Sequence, residues 1–409
     1  MSGDEERIRV AMAMLGSREH YQLARMLYKH GYLESLITDI WMKYPLERLP
    51  FYPWLPRPVR RLAGRRSPEL PDGIVSSPRL FWLRSVISRG FVSGRQELSR
   101  HFLREGQAFA ARCARLLPTD ADIFFGYTSA SLEAIQHAKR HGMAAILGQI
   151  DPGPVEDAIV AEESRRFPGW DPSDDRISPE YFERVREEWN EADVVIVNST
   201  WSRDALIHER VDADKIRILD LGFDGCITAT RGQVNAREVR VLWLGTLSLR
   251  KGFPYALEAA RSLVGKPVRF TFAGPLQVNS SAFSFPANCD YVGQVPRNEA
   301  AKLYASHDIF ILPTLSDGFA LTQVEALAYG LPLIVTPCCG DVAEHGRCGF
   351  IIPPRDSNAL RDAILRFVDD PDLLNGMREA AVERAGSFLP NALWPRYRQV
   401  LNEVNALRK

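Results

Sequence analysis

The stretch DIFILPTLSDGFALTQVEALAYGLPLIVTP, residues 308–337, decides the fold class of this chain. Two short apolar runs, DIFILPT (308–314) and PLIVTP (332–337), have the β-branched and aromatic composition of buried strands. Between them, the apolar spacing of FALTQVEALAYG predicts a helix. Strands that alternate with helices and end at turn residues indicate a parallel sheet with helices on both faces.

The same alternation extends upstream through the second half of the chain. Helical stretches such as PYALEAARSLV and RNEAAKLYASH separate further strand-like runs, which are VRVLWLGTL (239–247), VRFTFAGPL (268–276) and DYVGQV (290–295). Sheets of this kind bind ligands beyond the carboxyl ends of their strands. The sequence therefore predicts a ligand site around Gly245, Gly274, Gly293 and residues 313–318.

The first half repeats the scheme less regularly. A strand-like run, IRVAMAML (8–15), passes through Gly16 into a helical stretch. Four later runs resemble strands: DIFFGYTSA (122–130), AAILGQI (144–150), DVVIVNST (193–200) and IRILDLGF (216–223). Because 409 residues exceed one ordinary core, we predict two Rossmann-like domains that face each other across a cleft. The N-terminal domain would span residues 1–230 and the C-terminal domain residues 231–390. Residues 228–238 read as the linker, and residues 391–409 as a helix that packs back on the N-terminal domain.

The charge distribution excludes some partners and favours others. With 51 basic and 51 acidic residues, the chain has no net charge to attract nucleic acid, and we predict no nucleic-acid partner. The charges are nevertheless segregated. Residues 41–115 contain 15 Lys/Arg and five Asp/Glu, whereas residues 151–193 contain 14 acidic and five basic side chains. The basic flank predicts an anionic partner.

Residues 41–115 also depart from the strand–helix alternation. The segment YPLERLPFYPWLPRPVRRLAGRRSPELP mixes Pro, Arg and large aromatic residues, and RLFWLRSVISRGF follows it. One interpretation is an irregular insertion whose aromatic side chains pack on the core. The other is an interfacial surface, with aromatic side chains in the headgroup region and Arg against anionic lipid or diphosphate.

The N-terminus and the cysteines indicate where the protein is located in the cell and whether it binds a metal. The N-terminus lacks the basic start and the long apolar run of a signal peptide, and no segment approaches about 20 apolar residues. We expect a cytoplasmic protein that is either soluble or peripheral on the inner face of the membrane. The six cysteines form no CxxC pair and no zinc spacing with histidine, so we expect reduced thiols and no metal site.

Two carboxylates, Asp317 and Glu325, bracket a helix start that we predict near Phe319. The first amides of a helix lack intrahelical partners and can bind an anion, and Gly318 would let a phosphate approach the backbone. The amides concerned are those of Phe319, Ala320 and Leu321.

The spacing of these two acids suggests their ligand. Eight residues at ~1.5 Å each correspond to roughly 12 Å in a helix, well beyond the ~5–5.5 Å of a retaining glycosidase pair. Two carboxylates around an anion site suit a ligand with hydroxyls on both sides of a phosphate, such as a nucleotide sugar. The alternative is that Asp317 is an N-cap and Glu325 a solvated helix position.

The segment PTLSDGFALTQVEALAYGLPLIVT (313–336) resembles the donor-site signature of the retaining glycosyltransferases of family 4. The similarity is strong over about residues 190–390 and weak over 40–180. It continues in the segments ADVVIVNSTWSRDALIHERVDADKIRILDLGFD, VLWLGTLSLRKGFPYALEAA and CCGDVAEHGRCGFIIPPRDSNALRDAILRFVDDPDLLNGMREAA. The resemblance implies an α/β fold of the GT-B type and transfer of a sugar from an NDP-sugar to an acceptor with retention of configuration.

The resemblance also implies roles for individual residues. Glu325 would bind the ribose, Asp317 would meet sugar hydroxyls on the reacting face, and Lys251 would neutralise the donor diphosphate. Asp317 and Lys251 are thus the predicted catalytic residues. The remaining predicted donor-binding residues are Gly16, Gly245, Thr246, Arg250, Gly274, Val292, Gly318, Phe319, Ala320 and Leu321.

Three positions depart from the family pattern. Asp317 stands where the family has glutamate, and Thr246 stands where many members carry an arginine, whose task Arg250 could take over. The histidine that often follows the strand AAILGQI is missing, and we predict that Gln149 and Asp151 make polar contacts in the acceptor region instead.

The sequence therefore predicts a metal-independent glycosyltransferase without a cofactor, whose partners are a nucleotide sugar, a glycan or lipid-linked acceptor, and an anionic membrane surface. Its pathway would be exopolysaccharide, lipopolysaccharide or glycolipid assembly. One alternative is a catalytically silent nucleotide-sugar-binding protein or partner subunit of the same fold. Another is an epimerase or a phosphorylase, although no pyridoxal phosphate lysine site is recognisable for the latter.

Overall fold

The protein consists of two α/β domains, each built on one parallel sheet, as seen in a computed structural model. The structure describes residues 7–48, 54, 57–77, 94–172, 176–228 and 238–408. Most of the predicted linker and part of the basic segment, residues 229–237, 49–53, 55–56 and 78–93, lie outside the described residues.

The N-terminal sheet has seven strands in the order β3-β2-β1-β4-β5-β6-β7. They are β1 (Val10–Met14), β2 (Leu33–Thr38), β3 (Val75–Ser76), β4 (Ile123–Tyr127), β5 (Ala144–Gly148), β6 (Val194–Val197) and β7 (Ile216–Ile218). The α-helices of this half are α1 (Gln22–Lys29), α2 (Arg57–Arg60), α3 (Arg95–Leu116), α4 (Leu132–Arg140), α5 (Pro154–Arg166), α6 (Pro179–Glu191) and α7 (Thr200–His208). Strands β1, β4, β5 and β6 are buried along their whole length, as expected for a parallel sheet covered on both faces.

The C-terminal sheet has six strands in the order β10-β9-β8-β11-β12-β13. They are β8 (Val239–Leu244), β9 (Val268–Ala273), β10 (Cys289–Gly293), β11 (Ile309–Leu312), β12 (Leu333–Val335) and β13 (Gly349–Ile351). The helices are α8 (Phe253–Ser262), α9 (Arg297–Ser306), α10 (Leu321–Ala328), α11 (Ser357–Asp369), α12 (Pro371–Gly386) and α13 (Pro390–Ala406). In both sheets the strand order reverses once, between β1 and β4 and between β8 and β11, which is where such folds bind ligands. The two predicted Rossmann-like domains are confirmed.

The prediction of an irregular insertion over the whole of residues 41–115 is wrong for its last third. Residues 95–116 form α3, a regular helix that packs against α4. Its side chains Phe109, Ala110 and Cys113 are buried on one face, while none of its five arginines is buried. The abundance of Arg masked a helical apolar pattern.

The C-terminal helix α13 packs on the N-terminal domain, as predicted. Trp394, Tyr397 and Val404 belong to the same buried cluster as β1. The Tyr397 hydroxyl donates to the Asp220 carbonyl at 3.1 Å, and the Trp394 ring stacks on His30 with centroids 4.0 Å apart. This helix therefore joins the last residues of the chain to the first sheet. Among the described residues, no helix is both long and apolar enough to cross a membrane.

A second connection runs the other way, from α5 and the turn after it to the C-terminal domain. The Trp170 ring stacks on Phe283 with centroids 5.1 Å apart, and Phe167 meets Tyr255 edge-on at 5.5 Å. The backbone amide of Asn279 donates to the Trp170 carbonyl at 2.7 Å. We call residues 163–170 the clasp.

An ion pair strengthens the clasp. Glu163 is fully buried; its Oε2 accepts from the Tyr255 hydroxyl at 2.8 Å, and its Oε1 lies 2.8 Å from Arg355. A buried carboxylate is tolerated because these partners replace its water. The clasp and α13 together fix the two domains against each other.

Trp170→Ala should lower the free energy of unfolding by about 2 kcal/mol, less than for a core tryptophan because the ring is only partly buried. Circular dichroism during urea unfolding measures this change. Trp54→Ala is the matched control, since Trp54 is 86% exposed and its removal should cost at most about 0.5 kcal/mol. Equal losses in both variants would show that the clasp does not hold the domains together.

Candidate functional site

Glycine turns line the carboxyl ends of the C-terminal strands, as predicted. Gly245 and Gly274 follow β8 and β9 with positive φ angles of 155° and 144°. A Cβ added to Gly274 would lie 1.9 Å from the Gly245 carbonyl oxygen, so glycine is required there. Thr246 is half-buried beside these turns. Val292, in β10, is 46% exposed.

The start of α10 differs from the prediction. The helix begins at Leu321 with Ala320 as its N-cap residue, two positions later than expected. The Ala320 amide donates to the Cys339 carbonyl at 3.1 Å, so it is not available to an anion. The amides of Phe319 and Leu321 remain candidates for that role. Asp317 lies outside the helix and is not its N-cap, which excludes the capping alternative.

Gly318 makes a contact that the sequence did not predict. A Cβ at this position would lie 2.1 Å from the carbonyl oxygen of Ile150 and 3.4 Å from the Cα of Asp151. Backbone of the N-terminal domain therefore fills the space that a side chain at 318 would need, while the approach of a phosphate to this glycine stays a prediction. Glycine is required at 318 because the two domains touch here.

The two predicted catalytic residues are in contact. The Lys251 ammonium pairs with Asp317 Oδ2, and Arg250 Nη1 lies 3.6 Å from Asp317 Oδ1. Burial by itself raises the pKa of Asp317, but the charges of Lys251 and Arg250 outweigh it and hold the pKa below its usual value. Asp317 is therefore ionised and flanked by two cations.

Glu156, which the sequence analysis did not select, completes this charge cluster from the N-terminal domain. It lies in the first turn of α5, and its Oε2 accepts from the Ser316 hydroxyl at 2.9 Å. Arg250 Nη1 lies 3.3 Å from the same oxygen and donates to the Ser316 carbonyl at 2.8 Å. Burial raises the pKa of Glu156 to about 7, against the opposing charge of Arg250. The acidic excess over residues 151–193 was the one available signal for this residue.

The two residues predicted for the acceptor region have separate tasks. Gln149 is 1% exposed, and its amide accepts from Thr128 and Trp189 and donates to the Asp151 carbonyl at 2.8 Å. Its hydrogen bonds are used inside the domain, so the prediction of a ligand contact is wrong for Gln149. Asp151 Oδ1 accepts from the Gly153 amide at 2.8 Å, and burial raises the pKa of its carboxyl.

The loop at Gly16 reaches the same junction. Gly16 has a φ of 92°, and residues 19–21 that follow have φ angles of 42°, 50° and 63°. Consecutive non-glycine residues in this region are strained and concentrate at functional sites. The loop places the Arg18 guanidinium 5.3 Å from the ring centroid of Tyr127, and the charge of Arg18 lowers the pKa of Asp151 in opposition to burial.

Glu325 is held by a residue that the sequence did not reveal. The Tyr304 hydroxyl donates to Glu325 Oε2 at 2.8 Å. Tyr304 is 2% exposed and stacks on Tyr329 with centroids 5.5 Å apart. Glu325 is thus a half-buried, oriented carboxylate rather than a solvated helix position.

A cavity of about 350 Å³ opens beside the charge cluster, between α3, α5 and α6 of the N-terminal domain and the loop after β8. Its wall includes Asp151, Glu156 and Arg250. Within the described ranges, no group of three or more His, Cys, Asp or Glu side chains is placed to hold a metal ion.

Comparison with known proteins identifies the class of this fold. The structure superimposes on a sucrose-phosphate synthase from Thermosynechococcus elongatus with a TM-score of 0.60 and 18% identity, over 98% of this chain and 100% of the other. It superimposes on Anabaena HepE in complex with UDP with a TM-score of 0.60 and 14% identity, over 97% and 100%. The fold is GT-B.

The sequence comparisons show which known proteins parts of the chain resemble. Residues 238–370 match the family model described as Glycosyl transferases group 1. A putative colanic acid biosynthesis glycosyltransferase, WcaL of Salmonella typhimurium, is 23% identical over 305 residues, which are 69% of this chain and 71% of WcaL. An uncharacterized 41.2 kDa protein in the cps region of Klebsiella pneumoniae is 22% identical over 190 residues, 44% of this chain and about half (52%) of that protein. Over residues 238–370 the chain is therefore similar to the group 1 glycosyl transferases.

The raised pKa of Glu156 predicts a pH dependence. Between pH 4.5 and 7 the native carboxyl binds more protons than the unfolded one, so the free energy of unfolding falls as pH rises through this interval. Glu156→Gln removes this titration and should make the decrease in the free energy of unfolding smaller by on the order of 2 kcal/mol. Urea unfolding at a series of pH values measures this decrease in parent and variant. Parallel pH profiles for parent and variant would contradict a raised pKa at Glu156.

Proposed function

We propose that the protein transfers a sugar from a nucleoside diphosphate sugar to an acceptor, with retention of configuration and without a metal or cofactor. The observation that carries this proposal is the arrangement at the carboxyl ends of the C-terminal strands. There, an ionised Asp317 pairs with Lys251, and Tyr304 orients Glu325 at the far side of the α10 start. The UDP bound by HepE, which has the same fold, supports a nucleotide-sugar ligand.

The donor would occupy the space between the two carboxylates. Glu325 accepts hydrogen bonds from the ribose hydroxyls, and its fixed rotamer reduces the entropy lost on binding. The amides of Phe319 and Leu321 receive the diphosphate at the start of α10. Asp317, which stays ionised, accepts from hydroxyls of the transferred sugar.

Lys251 would supply the electrostatic part of catalysis. Its ammonium lies beside Asp317, at the point where the diphosphate meets the sugar in this arrangement, and stabilises the negative charge that develops as the nucleotide leaves. Lys251 and Asp317 are mostly buried, which strengthens this interaction relative to bulk water. The acceptor attacks from the face that the nucleotide leaves, and the departing phosphate takes the acceptor proton.

We place the reaction in exopolysaccharide, lipopolysaccharide or glycolipid assembly, with a glycan or lipid-linked acceptor. The name of the relative WcaL, which refers to colanic acid biosynthesis, supports this assignment.

Donor binding can be measured by thermal shift over UDP-, GDP- and ADP-sugars. A cognate donor at 100 times its Kd should add ~2.7 kcal/mol to the free energy of unfolding. Glu325→Ala should abolish this gain. Tyr304→Phe, which removes one hydrogen bond worth about 1 kcal/mol, should weaken the Kd about fivefold. Tyr44→Phe is the matched control at a 79% exposed position and should bind like the parent. Full donor binding by Glu325→Ala would reject the proposed donor site.

The rate of nucleotide release from the stabilising donor distinguishes an active enzyme from a catalytically silent binding protein. The silent alternative is considered because Asp317 and Thr246 differ from the residues usual in the family. The parent should release nucleotide well above background, and Asp317→Asn should bring the rate to background. A parent that binds a donor but releases nucleotide no faster than Asp317→Asn is a binding protein or partner subunit.

We further propose that an anionic membrane surface binds the basic flank of the N-terminal domain. Tyr44 and Trp54 are 79% and 86% exposed, and exposed cations such as Lys43 and Arg48 lie in the same segment. Exposed aromatic rings among cations are typical of surfaces that insert at the headgroup boundary.

Vesicle co-sedimentation tests the membrane proposal. The protein should pellet with anionic phosphatidylglycerol vesicles at low salt and be released as salt screens the charges. Trp54→Ala should reduce the fraction of protein bound to vesicles at every salt concentration. Trp170→Ala should not, because Trp170 packs against the C-terminal domain. If the protein does not pellet with anionic vesicles at low salt, the membrane proposal is rejected.

A further inference from the structure

We propose that the acceptor presents an uncharged sugar residue to the cavity between α3, α5 and α6, and that phosphorylated sugars are excluded from it. This inference rests on the proposed function, because it takes the cavity to be the acceptor side of the transfer site.

The position of the cavity connects it to the chemistry. Glu156 and Arg250 form part of its wall, and both are bonded to Ser316, the residue before Asp317. Residues of the C-terminal domain, Ser248 and Gln277, close the opposite side. A molecule in the cavity therefore lies next to the carboxylate that faces the donor sugar in the proposed mechanism.

The volume and the apolar lining suit one sugar residue. At about 350 Å³ the cavity is at the low end of the ~300–1,000 Å³ range of small-molecule pockets. Aromatic and aliphatic side chains cover much of its wall, and such rings pack against the C–H face of a pyranose. These side chains are Leu98, Phe102, Val160, Ile177, Tyr181, Phe182 and Leu249.

The cations of the described lining are already committed to carboxylates. Arg95 pairs with Asp171 at 2.8 Å. Arg250 lies between Glu156 and Asp317, at 3.3 Å and 3.6 Å. A phosphate would have to break one of these pairs to gain a partner and would leave a partly buried carboxylate without its cation.

The acidic groups of the lining outnumber these cations. Asp151 and Asp157 add to Asp171 and Glu156. Asp157 pairs with Arg176 at 2.5 Å, and Asp151 is influenced by the charges of Arg18 and Arg250. At a pH above the raised pKa values of Glu156 and Asp151, a phosphate dianion would meet like charge in the cavity. The hydroxyls of a neutral sugar, in contrast, donate hydrogen bonds to carboxylates. Charge and shape thus favour the same ligand class.

Saturation-transfer NMR with the UDP-bound and the free protein tests this inference. The probes are the methyl glycosides of glucose, galactose, mannose and N-acetylglucosamine and the corresponding sugar 6-phosphates. At least one neutral glycoside should bind about tenfold more tightly than its 6-phosphate, because the added charge has no free cation to meet. Phe102→Ala should weaken binding of that glycoside.

A charge variant makes the test specific to the cavity. Asp171→Asn releases Arg95 and should narrow the preference for the neutral glycoside several-fold. Asp372→Asn, the same change at an exposed position on α12, should leave it unchanged. Equal or tighter binding of 6-phosphates by the parent, or binding of neither series, would overturn the inference. Donor stabilisation and nucleotide release report independently on the proposed function, so the two can fail separately.

Discussion

The guanidinium of Arg250 is the interaction on which the arrangement of the two domains and of the candidate site depends. It donates to the Ser316 carbonyl of its own domain and lies against Glu156 of the other domain and Asp317 of the site. Carboxylates that lose water at a domain junction need such a partner, because the free energy of an unpaired buried charge is prohibitive. One side chain therefore contacts the loop before α10, helix α5 and Asp317, and together with Lys251 it lowers the pKa of Asp317.

The remaining contacts across the junction hold the residues of this cluster in position. Gly318 lets the backbone of Ile150 approach directly, the clasp holds α5 on the C-terminal domain, and α13 returns to the first sheet. These contacts leave the charged side chains only partly exposed, which makes the attraction between them stronger than it would be in bulk solvent. The same closure creates the cavity whose wall includes Glu156, so the donor and acceptor sides of the proposed reaction share one charge cluster.

Much of the fold was predictable because its strands are buried on both faces. Runs such as AAILG in β5 and IFIL in β11 are apolar throughout and are bounded by turn residues, which is a strong local signal. Strand β2 (LESLIT) and the two- and three-residue strands β3 and β13 were missed because they are short or mix polar with apolar residues. Helix α3 was missed because its arginines concealed the buried face formed by Phe109 and Cys113.

The sequence by itself determined the two-domain class and the glycine turns at the strand ends, since these follow from local patterns. The resemblance assigned Asp317 and Lys251 to one site, but their ion pair was not predicted. Only the tertiary structure decided the tasks of Gly318, Glu156 and Tyr304. Their partners Ile150, Arg250 and Glu325 are between 21 and 168 positions away along the chain. A contact that closes so long a loop leaves no periodic trace in the residues around it, because it is set by how the sheets and helices pack and not by local spacing.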